Sequence, residues 1–301
     1  MGGSPLDDRC WGNGRITGSA GISSHCSMDQ KKTEPYIKET KDGSSTLFSR
    51  AFNQYYHNPN GAVAESRHVF FETSGLAEAL QTKKELSILE IGFGTGLNLL
   101  LCLDYLEKAG NRTKVTFKSI EAYPIDSETA KSLVFGDEPF LQQNKQHLTD
   151  IFEKLKPGLN SFSISPNLQL ELFSGFFEDY VEILSTTGQT DKLNDFILHD
   201  PFSPEVNTDL WTPEVFKKLA AVSNDDAILS TYCAATSARA AMAVAGWNVA
   251  RAKGALGKRE MTVASFNSEK LSSLKRVNEQ RLIERYNRGD FNNQFNFQSS
   301  F

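Results

Sequence analysis

The apolar positions of this chain fall into short blocks bounded by glycine, proline and polar runs. LSILEIG (86–92), VTFKSIE (115–121), LQLELFSG (168–175), DFILHDP (195–201), DAILSTYC (226–233), WNVARAK (247–253) and MTVASF (261–266) are rich in branched and aromatic residues, which predicts strands. Longer stretches between most of them carry helical spacing: 97–109, 125–135, 147–155, 176–185, 213–222 and 236–245. Strand and helix in alternation predict an α/β fold with a largely parallel sheet. The last two strands are joined only by GALGKRE, too short for a helical crossover, so that pair is predicted antiparallel.

The ends break the pattern. Residues 1–27 are Gly/Ser-rich and aperiodic, and Met28 opens MDQKKTEPY, so 1–27 reads as a disordered expression leader. Residues 28–85 form an N-terminal segment and 86–266 the core. Residues 267–301, polar and Asn/Gln-rich, read as a tail with helical character around 274–285. The 301 residues are 39% hydrophobic, enough for one substantial domain with tails. A net charge of −5 provides no global basic field, so a nucleic-acid partner would have to meet a local patch. The four cysteines, Cys10, Cys26, Cys102 and Cys233, show no CxxC and no histidine at ligand spacing. This argues against a disulfide framework or a metal site and fits a reducing cytoplasm. No apolar run approaches the roughly 18 residues of a membrane span, so no membrane partner is expected.

Candidate chemistry begins at LEIGFGTGLNLLLCL (89–103), where a strand meets three glycines and then a leucine-rich helix. Glycine lets a ligand approach the backbone, and the free N–H groups of a helix start favour an anionic or accepting group. Tight strand-to-helix packing also selects glycine. No lysine follows as a nucleoside-triphosphate loop would need, and GFGTG is not GxGxxG. Glu90, between Leu89 and Ile91, is costly to bury without a partner. Glu121 ends the second strand, either as a solvated terminus or where a carboxylate can accept both hydroxyls of a ribose. Asp200 ends the fourth strand, followed by Pro-Phe-Ser-Pro. It is either a loop-initiating cap with Phe202 as a core plug, or an acceptor for the N–H groups of an amine beside an aromatic wall.

These stretches together resemble the MnmC methyltransferase domain family, which finishes 5-methylaminomethyl-2-thiouridine at the tRNA wobble position. The resemblance runs from Thr46 to Phe266 through LFSRAFNQYYHNPNGAVAESRHVFF, EIGFGTGLN, IEAYP, LHDPFSPEVNTDLWTPEVF, LSTYCAATSARAAMAVAGW and KGALGKREMTVAS. It implies a class I, Rossmann-like methyltransferase fold with a mostly parallel seven-stranded sheet ending in an antiparallel hairpin. It also implies S-adenosyl-L-methionine as methyl donor and 5-aminomethyl(2-thio)uridine in the tRNA anticodon stem-loop as acceptor. By the same carry-over Tyr56, Glu65, Arg67, Glu90, Gly92, Phe93, Gly94, Thr95, Gly96, Asn98, Glu121 and Gly175 surround the cofactor. Asp200 faces the reacting amine, and Phe202, Ser203 and Pro204 border the substrate.

RNA contact is expected from Lys258 and Arg259 in the terminal hairpin, with Arg251, Lys253, Arg239, Lys275, Arg276 and Arg285 as further candidates. Two departures stand out. Gly175-Phe176 replaces the family's Gly-Asp, leaving adenine to Glu178, to Asp179, or to stacking and backbone contacts. No second glycine fingerprint marks the flavin oxidase fused in many members, so a separate aminomethyl-generating enzyme is expected. Competing readings are a polyamine-synthase-like transferase of the same fold, which would want an acidic pocket, and a non-catalytic tRNA-binding module.

Overall fold

The computed structural model describes residues 35–187 and 193–291. The expectations for 1–27, for Cys10 and Cys26 and for the last residues of the tail lie outside the described residues. Twelve strands are described. β1 (Tyr36–Glu39), β2 (Ser45–Ser49) and β3 (Gln54–Tyr55) make a small antiparallel sheet. The central sheet holds β4 (Glu85–Ile91), β5 (Lys114–Glu121), β6 (Gly158–Ser165), β7 (Leu168–Ser174), β8 (Asn194–His199), β9 (Ser223–Thr231), β10 (Asn248–Ala252), β11 (Met261–Ser265) and β12 (Lys275–Arg276), in the order β12-β10-β11-β9-β8-β4-β5-β7-β6.

The five middle strands are parallel, whereas β11, β10 and β12 on one side and β6 on the other each pair antiparallel with their neighbours. The sheet therefore has nine strands rather than the seven expected. β6 pairs with β7 at the edge and alternates exposed with half-buried positions over most of its length, so GLNSFSIS carries no apolar run. Residues 267–291 are not simply a tail. β12 adds to β10, Asn278 caps the helix Glu279–Asn287 by accepting the Arg281 N–H, and Val277, Leu282 and Phe291 are buried.

Alternation along β4 sorts the core into two layers. Leu86 and Ile88 face the helices Leu97–Lys108 and Gln146–Lys154 and the segment around Phe70 and Phe71. Leu89 and Ile91 face Trp211, Phe216, Met242 and Trp247. Side chains two apart share a face of a strand, so Glu90 falls on the Ile88 side, beneath the helix that starts at Leu97. Burying a carboxyl there requires partners on that helix or on a neighbouring strand.

Candidate active site

β4 is where the strand order reverses: β5 and β7 lie to one side, β8 and β9 to the other. Such a switch point opens a crevice beyond the carboxyl ends of the strands. A cavity of about 530 Å³ occupies it, within the range of small-molecule sites. Its floor comes from Gly92, Phe93 and Gly94 after β4, Glu121 at the end of β5, and Asp200 after β8. The N-terminal segment supplies the opposite wall through Phe52, Tyr56 and Glu65, and the terminal hairpin supplies Lys258.

The three glycines serve different purposes, and all have positive φ. At Gly92 a Cβ would sit 2.8 Å from the Asp200 carbonyl oxygen, so the missing side chain lets two strand-end turns meet. At Gly94 it would sit 3.3 Å from the Tyr56 ring, across the cavity mouth. At Gly96 it would strike Leu148 Cδ2 at 2.5 Å, which is packing beneath the helix rather than ligand approach. Gly96 and Thr95 are buried outside the cavity.

Glu121 accepts the Gly94 N–H at 2.8 Å through Oε2 and the Tyr123 N–H at 2.8 Å through Oε1. Burial raises its pKa and these backbone bonds oppose the rise. Glu121 lines the cavity, and a carboxylate oxygen can accept more than one donor. Beside it, Tyr123 and Phe176 meet edge to face at 5.9 Å and are both more than half exposed.

Asp200 sits deeper. Its Oδ2 accepts a bond from Asn98 Nδ2 at 3.4 Å, and the same amide donates to Glu90 Oε1 at 2.9 Å. Ser119 donates to Glu90 Oε2 at 2.6 Å. Glu90 is completely buried and does not line the cavity. Burial, opposed by the Ser119 and Asn98 bonds, pushes its carboxyl up to about 8. Burial, followed by the nearby Glu90 and Glu65 carboxyls, raises Asp200 well above the ordinary range. Phe202 stacks on Phe52 at 4.6 Å and meets Tyr56 edge-on at 5.1 Å.

Lys258 is exposed and also lines the cavity. Its Nζ lies 2.6 Å from Glu65 Oε1 and 5.2 Å from the Tyr232 ring centre, while Glu65 Oε2 accepts the Asn58 N–H at 3.0 Å. Gly254 permits the tight hairpin behind it, since a Cβ there would lie 2.7 Å from the Lys258 carbonyl oxygen.

Other expected residues lie elsewhere. Arg67 is held by Asp104 and Glu138, both at 2.9 Å, and stays out of the cavity, because its guanidinium ties three helical segments together. Arg239 is buried against Glu260, Thr262 and the Met261 carbonyl oxygen, Arg251 pairs with Glu260 and Arg276 with Glu279, and Arg285 pairs with Asp290. Ser203 and Pro204 fall just outside the lining, where the Ser203 N–H donates to Gln54 Oε1 at 3.1 Å. Arg259, Lys253 and Lys275 are exposed.

Gln54, Asn58 and Tyr232 were not singled out from sequence. Tyr232 donates to the Pro201 carbonyl oxygen at 2.8 Å, bracing the Asp200 loop from the end of β9. An aromatic ending the strand next to β8 was the available signal for it.

Known proteins match this arrangement. A family model described as S-adenosyl-L-methionine-dependent methyltransferase matches residues 139–267. The MnmC2 structure from Aquifex aeolicus superposes with a TM-score of 0.67 at 23% identity, covering 85% of this chain and 76% of that one. Fold and family model define a Rossmann-like methyltransferase that uses S-adenosyl-L-methionine.

Among curated proteins, the Ralstonia nicotianae tRNA 5-methylaminomethyl-2-thiouridine biosynthesis bifunctional protein MnmC is 34% identical over 226 residues, 73% of this chain and 33% of its own. Its Leptospira interrogans counterpart is 30% identical over 234 residues, 76% of this chain and 35% of its own. The chain is an MnmC methyltransferase-like protein, and it spans about a third of the length of these relatives.

Proposed function

We propose that this chain methylates the amino group of 5-aminomethyl(2-thio)uridine at the wobble position of tRNA, gripping the anticodon stem-loop, in the cytoplasm. The observation that carries this reading is Asp200: a carboxyl at the cavity floor, held above its ordinary pKa by burial and flanked by the Phe202–Phe52 stack. The names of the curated relatives supply the substrate class. Among the described residues no helix is long and apolar enough to cross a membrane.

The lining fits the cofactor. Glu121 would hold the ribose hydroxyls, the Gly92–Gly94 turn would lie along the chain of the ligand, and Tyr123 and Phe176 would offer faces to adenine where the family's acid is missing. When bound, S-adenosyl-L-methionine supplies a methyl group on a sulfonium that is open to in-line attack.

The protein must present a neutral amine. An aminomethyl group is largely protonated near neutrality, so its N–H proton passes to an Asp200 carboxylate oxygen, freeing the lone pair. A carboxyl whose pKa is raised toward that of the amine is the better acceptor. The Phe52–Phe202 stack walls the acceptor from water, as a planar base requires. The aminomethyl precursor would come from a separate enzyme.

Nucleoside mass spectrometry of tRNA from cells lacking the gene tests this reading. Accumulated 5-aminomethyl nucleosides are expected, and unchanged wobble uridines would overturn it. A second reading draws on the cavity wall, where Glu65, Glu121, Glu178, Asp200 and Asp209 face a single lysine. That acidity suits the polycation of an aminopropyl transferase. Lys258 offsets Glu65, and the relatives favour methyl transfer. Turnover with decarboxylated S-adenosylmethionine and a diamine, but not with the methyl donor and tRNA, would select the second.

A further inference from the structure

Glu90 is a completely buried carboxyl that makes no contact with the cavity, yet it shares one amide with the residue expected to accept the substrate's proton. The Asn98 NH₂ is turned toward both carboxyls, donating to Glu90 Oε1 and Asp200 Oδ2. Flipped, the amide oxygen would meet the same oxygens and could be satisfied only by a carboxyl holding its proton. Glu90 Oε1 enforces that orientation at 2.9 Å, and the Ser119 hydroxyl anchors Glu90 in turn at 2.6 Å. The backbone supports the arrangement from below. β4 places Glu90 on the face covered by the helix Leu97–Lys108, and the Gly96 turn brings the first turn of that helix over it.

We propose that Glu90 is the positioning residue for Asp200, acting through the side-chain amide of Asn98. The assignment rests on Asp200 serving as the acceptor proposed above. With the amide fixed, one N–H holds Asp200 Oδ2 and leaves Oδ1 for the amine. Without it, the Asp200 carboxylate loses its side-chain donor and can rotate away. The charged and titratable groups around Asp200 are Glu90 on β4, Glu65 on the helix Ala62–Ser66, Lys258 on the hairpin, and Tyr232 after β9. Glu121 on β5 and Cys102 on the helix Leu97–Lys108 face Glu90. Where Glu90 is ionised it raises Asp200, so a neutral residue in its place lowers the pH at which Asp200 ionises.

The test compares Glu90→Gln, which keeps an acceptor for Asn98 and can donate to Ser119, with Glu90→Leu, which keeps neither. Methylation kinetics on tRNA and titration of the Asp200 carboxyl by carbon NMR in the ligand-free protein are both read. Glu90→Gln is expected to hold kcat within about threefold at pH 7 and to move the acid limb of the profile down by about one pH unit. Glu90→Leu is expected to lose about 100-fold in kcat with KM for the methyl donor little changed, as a misaligned group does.

Wild-type kcat in Glu90→Leu would overturn the proposal. So would a large rise in KM for the donor at constant kcat in both variants, which would put Glu90 on the cofactor instead. If the wild-type protein fails to methylate tRNA, the functional reading falls, and the NMR titration still decides the present point: an Asp200 titration unmoved in Glu90→Gln overturns it. The same measurement decides if Glu90→Leu does not fold.

Discussion

Lys258 and Glu65 stand 193 positions apart in the chain and meet at 2.6 Å, Nζ to Oε1. The pair joins the hairpin that closes the central sheet to the segment that walls the cavity from the N-terminal side. Glu65 is also fixed by Asn58, whose backbone N–H donates to Oε2 and whose side-chain amide donates to Oε1, so removing the lysine leaves a mostly buried carboxylate with Asn58 as its donor.

Lys258→Met is expected to weaken binding of the methyl donor about fivefold and to lower the thermal midpoint by a few degrees, the size of about 1 kcal/mol for a pair open to solvent on its lysine side. The swapped pair Glu65→Lys with Lys258→Glu should recover part of the loss. Calorimetry on the single and double variants reads both effects, and equal affinity across all of them would remove the pair from the closure of the site.

The glycines of the first turn separate binding from folding. Gly94→Val should abolish binding of S-adenosyl-L-methionine, because its side chain would enter the cavity mouth against Tyr56. Gly96→Ala should instead lower stability, because its Cβ meets Leu148 and Phe93 in the core. Isothermal titration and melting curves run side by side distinguish the two. Both variants losing affinity at unchanged midpoint would contradict the packing assigned to Gly96.

Asp200→Ala is expected to leave tRNA and donor binding near normal and to slow the chemical step by roughly 100-fold to 10,000-fold. Asp200→Asn can still accept a hydrogen bond but takes no proton at neutral pH, so it should be nearly as slow at pH 7 and recover in part at higher pH, where more of the amine is neutral. Single-turnover rates matching wild type in Asp200→Ala would reduce the residue to a loop cap.

Stability should also depend on pH through Glu90. Its carboxyl rises from the ordinary 4.5 to about 8, so between those values the folded chain keeps a proton that the unfolded chain has released. Stability from this group is therefore lost as pH climbs through that window and is level above it. Glu90→Gln removes the loss, and its melting temperature relative to wild type should rise steadily from pH 5 to pH 8. A pH-independent difference in scanning calorimetry would show that Glu90 is ionised in the fold throughout.

RNA affinity should reside in cations that the fold leaves outward. Lys253→Ala with Arg259→Ala is expected to weaken tRNA binding and to reduce the slope of log affinity against log salt by about two, leaving donor affinity intact. An unchanged slope would move the RNA surface away from the hairpin.

The strands from β4 to β11 were legible wherever an apolar run ends at glycine, proline or an acid, and those ends also mark Gly92, Glu121 and Asp200 on the cavity floor. β6 escaped because an edge strand exposed along one side has no need of an apolar run, and β1 because all four of its residues are exposed. Charged residues were the least legible. Arg67, Arg239 and Lys258 look alike in sequence, and what separates them is an acid brought in from elsewhere: Asp104, Glu260 and Glu65. Glu90 was legible only as a cost needing a partner, and Asn98, eight residues on, supplies it across the glycine turn.

The wall of the cavity carries an order in time as well as in space. Phe52, Tyr56 and Glu65 are translated early, the floor at Asp200 much later, and Lys258 later still. Because a domain condenses as a unit while it emerges, a nascent chain that has not yet reached the hairpin can assemble the middle strands but has nothing to fasten its own beginning over them. The Lys258–Glu65 closure of the site is thus among the last contacts that the ribosome makes available to this protein.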